Sequence, residues 1–124
     1  MTPCILVVND DEDIVAMLRE VLTFIGYEVA TRTTPDDILA DVEAVDPDAI
    51  IIDWMFGQEE RGTQIIELLK ATPATHAIPL IVCSAPGSHL EVREAELRQQ
   101  GVRVLYKPFP FSKLQSMLVG LVPL

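Results

Sequence analysis

Five short runs of valine, isoleucine and leucine recur along this chain, and segments of helical period separate them. The runs are Cys4–Asn9, Tyr27–Thr31, Asp48–Asp53, Leu80–Ser84 and Arg103–Tyr106. Their length and β-branched content predict buried strands. Between the first two, Ile14, Met17, Leu18, Val21, Leu22 and Ile25 recur at steps of three and four, and Gly26 follows as a stop. Thr34–Val45 opens with Thr34 and Pro35 as N-cap and first turn, and Asp36 and Asp37 suit the positive end of a helix dipole. Further helices are predicted over 61–71, 88–100 and 112–121. The last carries Leu114, Met117, Leu118 and Leu121 on one face. Strict alternation of strand and helix predicts a doubly wound α/β domain with a parallel sheet, in one domain spanning residues 1–124.

Composition removes several function classes. A net charge of -10 and a pI near 4.4 argue against direct binding to nucleic acid phosphates. The apolar runs are too short to span a bilayer, no basic segment precedes an apolar stretch at Met1, and a cytoplasmic protein is expected. Cys4 and Cys83 lie inside apolar runs without metal-type spacing, so both are read as buried, reduced thiols.

Ligands of doubly wound sheets bind beyond the carboxyl ends of the strands. Here those ends carry Asn9 and Asp10 after the first strand, Asp53 after the third, Ser84 after the fourth and Lys107 after the fifth. Brought to one edge, they would supply carboxylates for a hard cation such as Mg²⁺, and a hydroxyl and an ammonium for phosphoryl oxygens. That set suits phosphoryl transfer to a carboxylate, with Asp53 as nucleophile. Each residue also has a plainer reading. Asp53 could cap a loop, Lys107 could be a surface lysine, and Ser84 could be a satisfied strand-end hydroxyl. Asp11, Glu12 and Asp13 are read as residues of a helix start rather than ligands.

In "ILVVNDDEDI", "DAIIIDW", "IPLIVCSA" and "VLYKPF" the chain resembles, over nearly its whole length, the receiver domain of two-component response regulators. The resemblance implies a flavodoxin-like (βα)5 fold with strand order 2-1-3-4-5. It implies that Asp53 is the phosphoacceptor and that Asp10, Asp53 and the backbone carbonyl of Met55 bind Mg²⁺, with Asn9 acting through water. It further implies that Ser84 and Lys107 contact the phosphoryl group and that Lys107–Pro108 is cis. The implied partners are a sensor histidine kinase or phosphotransfer protein and a downstream protein target. A homodimer through the last two helices and the fifth strand is allowed by the resemblance.

The chain departs from the family's pattern in three places. Asn9 stands where a carboxylate is usual. At an effective dielectric of about 20, one carboxylate about 5 Å from a dication contributes roughly 6 kcal/mol at most, so metal affinity should fall without it. The loop reads "DWMFGQEERG" where the family commonly has Asp-x-x-Met-Pro-x-x-x-Gly; Phe56 and Gly57 replace Met-Pro, and Gly62 comes one residue late. Met55 and Pro86 are expected to flank the acceptor without orienting an attacking water, which predicts slow loss of the phosphoryl group. Val104 occupies the place of the family's switch aromatic, and Tyr106 is read as a packing residue.

Two other classes compete. A degenerate pseudo-receiver, signalling by binding alone, is favoured by Asn9 and the altered loop. An aspartyl phosphatase is disfavoured because Trp54 and Met55 follow Asp53, leaving no second acid at the Asp-x-Asp spacing. The chain is therefore expected not to be an enzyme.

Overall fold

The computed structural model describes residues 2–85 and 89–124. Strands β1 (Cys4–Val8), β2 (Glu28–Arg32), β3 (Ala49–Asp53), β4 (Leu80–Ser84) and β5 (Val102–Tyr106) alternate with helices. These helices are α1 (Glu12–Ile25), α2 (Ile38–Val45), α3 (Gly62–Ala71), α4 (Leu90–Gln99) and α5 (Phe111–Leu121). All strand pairs are parallel, in the order β2-β1-β3-β4-β5. The expected flavodoxin-like topology is the one observed.

The order follows from which residues need cover on both faces. β3 and β4 are buried at every position, and β1 at all but its first. β2, at an edge, is only partly buried. Side chains alternate across the sheet. Leu6, Val8, Ile50, Ile52, Leu80 and Val82 face one layer, built from Ile38 and Val42 of α2, Ile65, Ile66 and Leu69 of α3, and Leu90 and Leu97 of α4. Ile5, Val7, Ile51, Ile81, Cys83 and Leu105 face the other, built from Leu18 and Leu22 of α1 and Leu114 and Leu118 of α5. Each fully buried aliphatic side chain contributes on the order of 1.5–3 kcal/mol, enough in sum to hold both layers on the sheet.

Several local expectations change. The second helix begins at Ile38, not Thr34. Thr34 Oγ1 accepts the Asp36 N–H at 3.1 Å and Ile38 N–H bonds the Pro35 carbonyl, so residues 34–37 make a turn before the helix. Asp36 then pairs with Arg61 at 2.6 Å instead of serving the dipole. Met17 and Val92 sit on outer helix faces, the latter 84% exposed, because only part of each apolar stripe fits the sheet. Cys83 is buried as expected, but Cys4 starts a strand and is only partly covered. Ser88, the expected start of the fourth helix, lies outside the described residues.

Candidate functional site

The site is assembled by strand register. Val8 pairs with Ile52, so the chain leaves the sheet at Asn9 beside Asp53. Asp53 pairs with Cys83. One residue further, Ser84 pairs with Tyr106, and its carbonyl accepts the Lys107 N–H at 2.8 Å. The Lys107–Pro108 bond is cis, as the resemblance implies. Asn9, Asp53 and Ser84 are buried polar residues at this edge, with Asp53 8% exposed and Ser84 1%.

Lys107 Nζ donates to Asp53 Oδ2 at 2.9 Å. The Asp53 side chain is 10% exposed, so little water screens that pair. The Met55 N–H reaches Asp53 Oδ1 only at 3.4 Å. One carboxylate oxygen is thus held by an ammonium, and among the described residues the other meets only the distant Met55 amide. An arrangement of this kind can hold a carboxylate steady for attack on an electrophile.

The acidic cluster after β1 divides into two kinds of residue. Asp11 is the N-cap of α1, its Oδ1 accepting the N–H groups of Asp13 at 3.0 Å and Ile14 at 3.3 Å. Glu12 and Asp13 lie in the first turn, where the helix dipole favours negative charge. These three behave as the sequence suggested. Asn9 Oδ1 accepts the Asp11 N–H at 2.9 Å, so its amide braces the turn into α1. Asp10, exposed, reaches across to the loop after β3, where its Oδ2 accepts the Gly57 N–H at 2.8 Å.

That loop is more structured than its sequence indicates. Phe56 and Glu59 exchange backbone hydrogen bonds, Phe56 N–H to Glu59 O at 2.9 Å and the reverse at 3.1 Å. The pair closes a two-residue turn through Gly57, whose φ of 63° is costly for residues with a branched Cβ. This turn absorbs the extra residue, so Gly62 still meets Trp54, its N–H bonding the Trp54 carbonyl at 3.0 Å. Glu60 binds His89 at the start of α4 through both the amide, at 3.2 Å, and the ring Nδ1, at 3.0 Å. Partial burial pushes the Glu60 carboxyl up, but the His89 amide and imidazole outweigh it and hold the group below its ordinary range. None of these loop contacts was anticipated. The substitution of Gly57 for the usual proline was the available signal.

The resemblance to receiver domains implies Mg²⁺. Among the described residues no three histidine, cysteine or acidic side chains converge as a metal cage. Two carboxylates, Asp10 and Asp53, and the Met55 carbonyl are nevertheless hard oxygen donors. Such a sparse set fits an ion that retains several waters, as Mg²⁺ does, and not zinc or a soft metal. Pro86, expected beside the acceptor, lies outside the described residues.

A parallel sheet with a lysine-held aspartate at its carboxyl edge defines a class of α/β domain with a buried carboxylate at its ligand-binding edge. The response regulator receiver domain model matches residues 5–119, and the chain belongs to that family. It is 30% identical over 122 residues to the phosphate regulon transcriptional regulatory protein PhoB of Rhizobium meliloti, covering 98% of this chain and 53% of PhoB. It is 31% identical over 121 residues to the transcriptional regulatory protein PrrA of Mycobacterium tuberculosis, covering 98% of this chain and 50% of PrrA. The chain thus spans about half the length of these curated relatives. A putative response regulator from Chloroflexus aurantiacus superposes with a TM-score of 0.83 at 25% identity, covering 98% of each chain. Chemotaxis protein CheY4 of Vibrio cholerae gives 0.83 at 23% identity over 98% of this chain and all of CheY4, a likeness of fold.

Proposed function

We propose that this chain is a phospho-accepting receiver in which Asp53 takes a phosphoryl group from a sensor histidine kinase or phosphotransfer protein. The observation that carries this reading is the Lys107–Asp53 contact at 2.9 Å on a carboxylate almost closed to solvent. An Asp53 oxygen attacks phosphorus, a P–O bond forms as the donor's P–N bond breaks, and the leaving imidazole takes up a proton. Lys107 offsets charge on the phosphoryl oxygens, and Ser84 offers its hydroxyl to one of them. Asp10, Asp53 and the Met55 carbonyl would hold Mg²⁺, with Asn9 acting through a water. When bound, the ion supplies charge neutralisation for the transferring oxygens. Met55 presents no group able to orient water, which favours a long-lived phosphorylated state. The downstream target is a protein, and a homodimer is compatible with this reading. No helix among the described residues is long and apolar enough to cross a membrane. A cytoplasmic location belongs to this reading through the proposed exchange with a sensor histidine kinase.

One observation favours a second reading, the phosphorylation-independent pseudo-receiver: Asn9 is uncharged, and its carbonyl oxygen already serves the Asp11 amide. The test uses Trp54, the only tryptophan, adjacent to Asp53. Mg²⁺ is titrated against its fluorescence, beryllofluoride is then added as an acyl phosphate mimic, and Asp53→Asn is run in parallel. The receiver reading expects a saturable Mg²⁺ response and a further change that requires Asp53. A folded protein that responds to neither is a pseudo-receiver.

A further inference from the structure

The family's common pattern places proline four residues after the phosphoacceptor, and proline has no N–H. This chain has Gly57 there, and the Gly57 N–H is the group that Asp10 Oδ2 accepts at 2.8 Å. We propose that Gly57 is a positioning residue for Asp10: its amide, presented by the tight turn, clamps one oxygen of the carboxylate and thereby sets how the other is offered to a divalent cation. The proposal rests on the receiver reading of the site.

Three observations support it. The turn is built to aim this amide. Phe56, 8% exposed, anchors one side in the core, the Phe56–Glu59 backbone pair closes it, and Gly57 takes the positive φ the geometry requires. The loop is tied at its far end to two neighbours, Glu60 to His89 and Arg61 to Asp36, so the amide has a fixed base. Finally, Asn9 contributes no charge and Asp11 is spent on capping α1, which leaves Asp10 as the carboxylate of this segment able to serve a metal. A donor to one oxygen of a carboxylate ligand restrains its rotation, and loss of such a partner weakens metal binding through geometry even though the charge is unchanged. The extra loop residue and the lost proline are then one device that compensates in orientation for what Asn9 removes in charge.

The test compares Gly57→Val with Gly57→Asn. A Cβ at position 57 meets no atom within 4 Å, so either variant has room and only the backbone conformation is challenged. Valine disfavours φ near 63°, whereas asparagine tolerates it. Mg²⁺ affinity is read from Trp54 fluorescence, folding from far-UV circular dichroism, and the clamp from hydrogen exchange of residue 57's amide. Gly57→Val should remain folded, lose amide protection and weaken Mg²⁺ binding about tenfold, and Gly57→Asn should restore protection and affinity to within about twofold of the parent. Unchanged Mg²⁺ affinity in Gly57→Val, or an unprotected Gly57 amide in the parent that Asp10→Ala leaves no faster, would overturn the proposal while sparing the receiver reading. A parent protein with no Mg²⁺ response overturns both, and the parent titration alone reveals that case.

Discussion

Gly62 offers a sharp test of how the loop after Asp53 is held. A methyl group added there would lie 2.4 Å from Trp54 Cε3, 3.0 Å from Cδ2 and 3.1 Å from the Trp54 Cα. Carbon atoms pack at about 3.5 Å or more, so the worst overlap is about 1.1 Å. The indole cannot easily retreat, since Trp54 is 1% exposed and packed in the core, and the third contact is to backbone. Overpacking of this severity should cost Gly62→Ala about 3 kcal/mol, the upper end of the usual range. An unfolding entropy of about 2.1 cal/mol/K per residue over 124 residues gives about 0.26 kcal/mol/K, so Tm should fall by about 12 °C. Thermal unfolding followed by circular dichroism measures it. In a Trp54→Leu background the same glycine-to-alanine step should cost under about 1 kcal/mol, because the clashing ring is gone. A Tm change under about 3 °C in the parent background, or an equal cost in both backgrounds, would refute the steric argument.

Two further predictions concern titrating groups. Burial first, and then the Glu94 carboxylate beside its hydroxyl, push the Tyr106 phenol up to about 12. The folded chain therefore holds that proton more tightly than the unfolded chain does, so stability is intact below about pH 10 and falls as pH rises toward 12. Urea unfolding at pH 9 and pH 11 should show a smaller loss for Tyr106→Phe than for the parent, with the remainder including Tyr27, whose phenol burial also raises. An identical loss in the two proteins would refute the assignment. Burial likewise pushes the Cys83 thiol up to about 12, and burial, then Glu28 and Asp48, raise Cys4. A thiol reagent at pH 8 should label Cys4 slowly and Cys83 only in denaturant, as located by peptide mass mapping; prompt native labelling of Cys83 would count against the burial argument.

The fold is largely legible in the sequence because its signals are local and redundant. β1, β3 and β4 are nearly unbroken apolar runs that end at or just before a polar residue, and each helix carries at least part of a stripe. Where those signals were weak, the boundaries moved. The turn at 34–37 imitated a helix start because Thr34-Pro35-Asp36-Asp37 uses the same residues a cap would. Val92 of α4 faces outward, because apolar character alone does not say which side of a helix meets the sheet. Tyr106, read as a packing residue, does pack against the core, and its hydroxyl also answers to Glu94 across the β5–α4 contact.

The candidate site divides along the same line. Asn9, Asp10, Asp53, Ser84 and Lys107 could be named from the chain because they end strands, and a parallel sheet must bring strand ends together. The ion pair of Asp53 with Lys107, the spending of Asn9 on a helix turn and the capture of Asp10 by Gly57 could not. Each is a contact between residues distant in sequence or a choice among several hydrogen-bond partners, settled by where loops of irregular backbone come to rest. Periodicity and residue type encode the strands and helices because burial is a property of each segment's own pattern. The partners of a polar side chain depend on every neighbouring segment at once, and only the assembled tertiary structure specifies them.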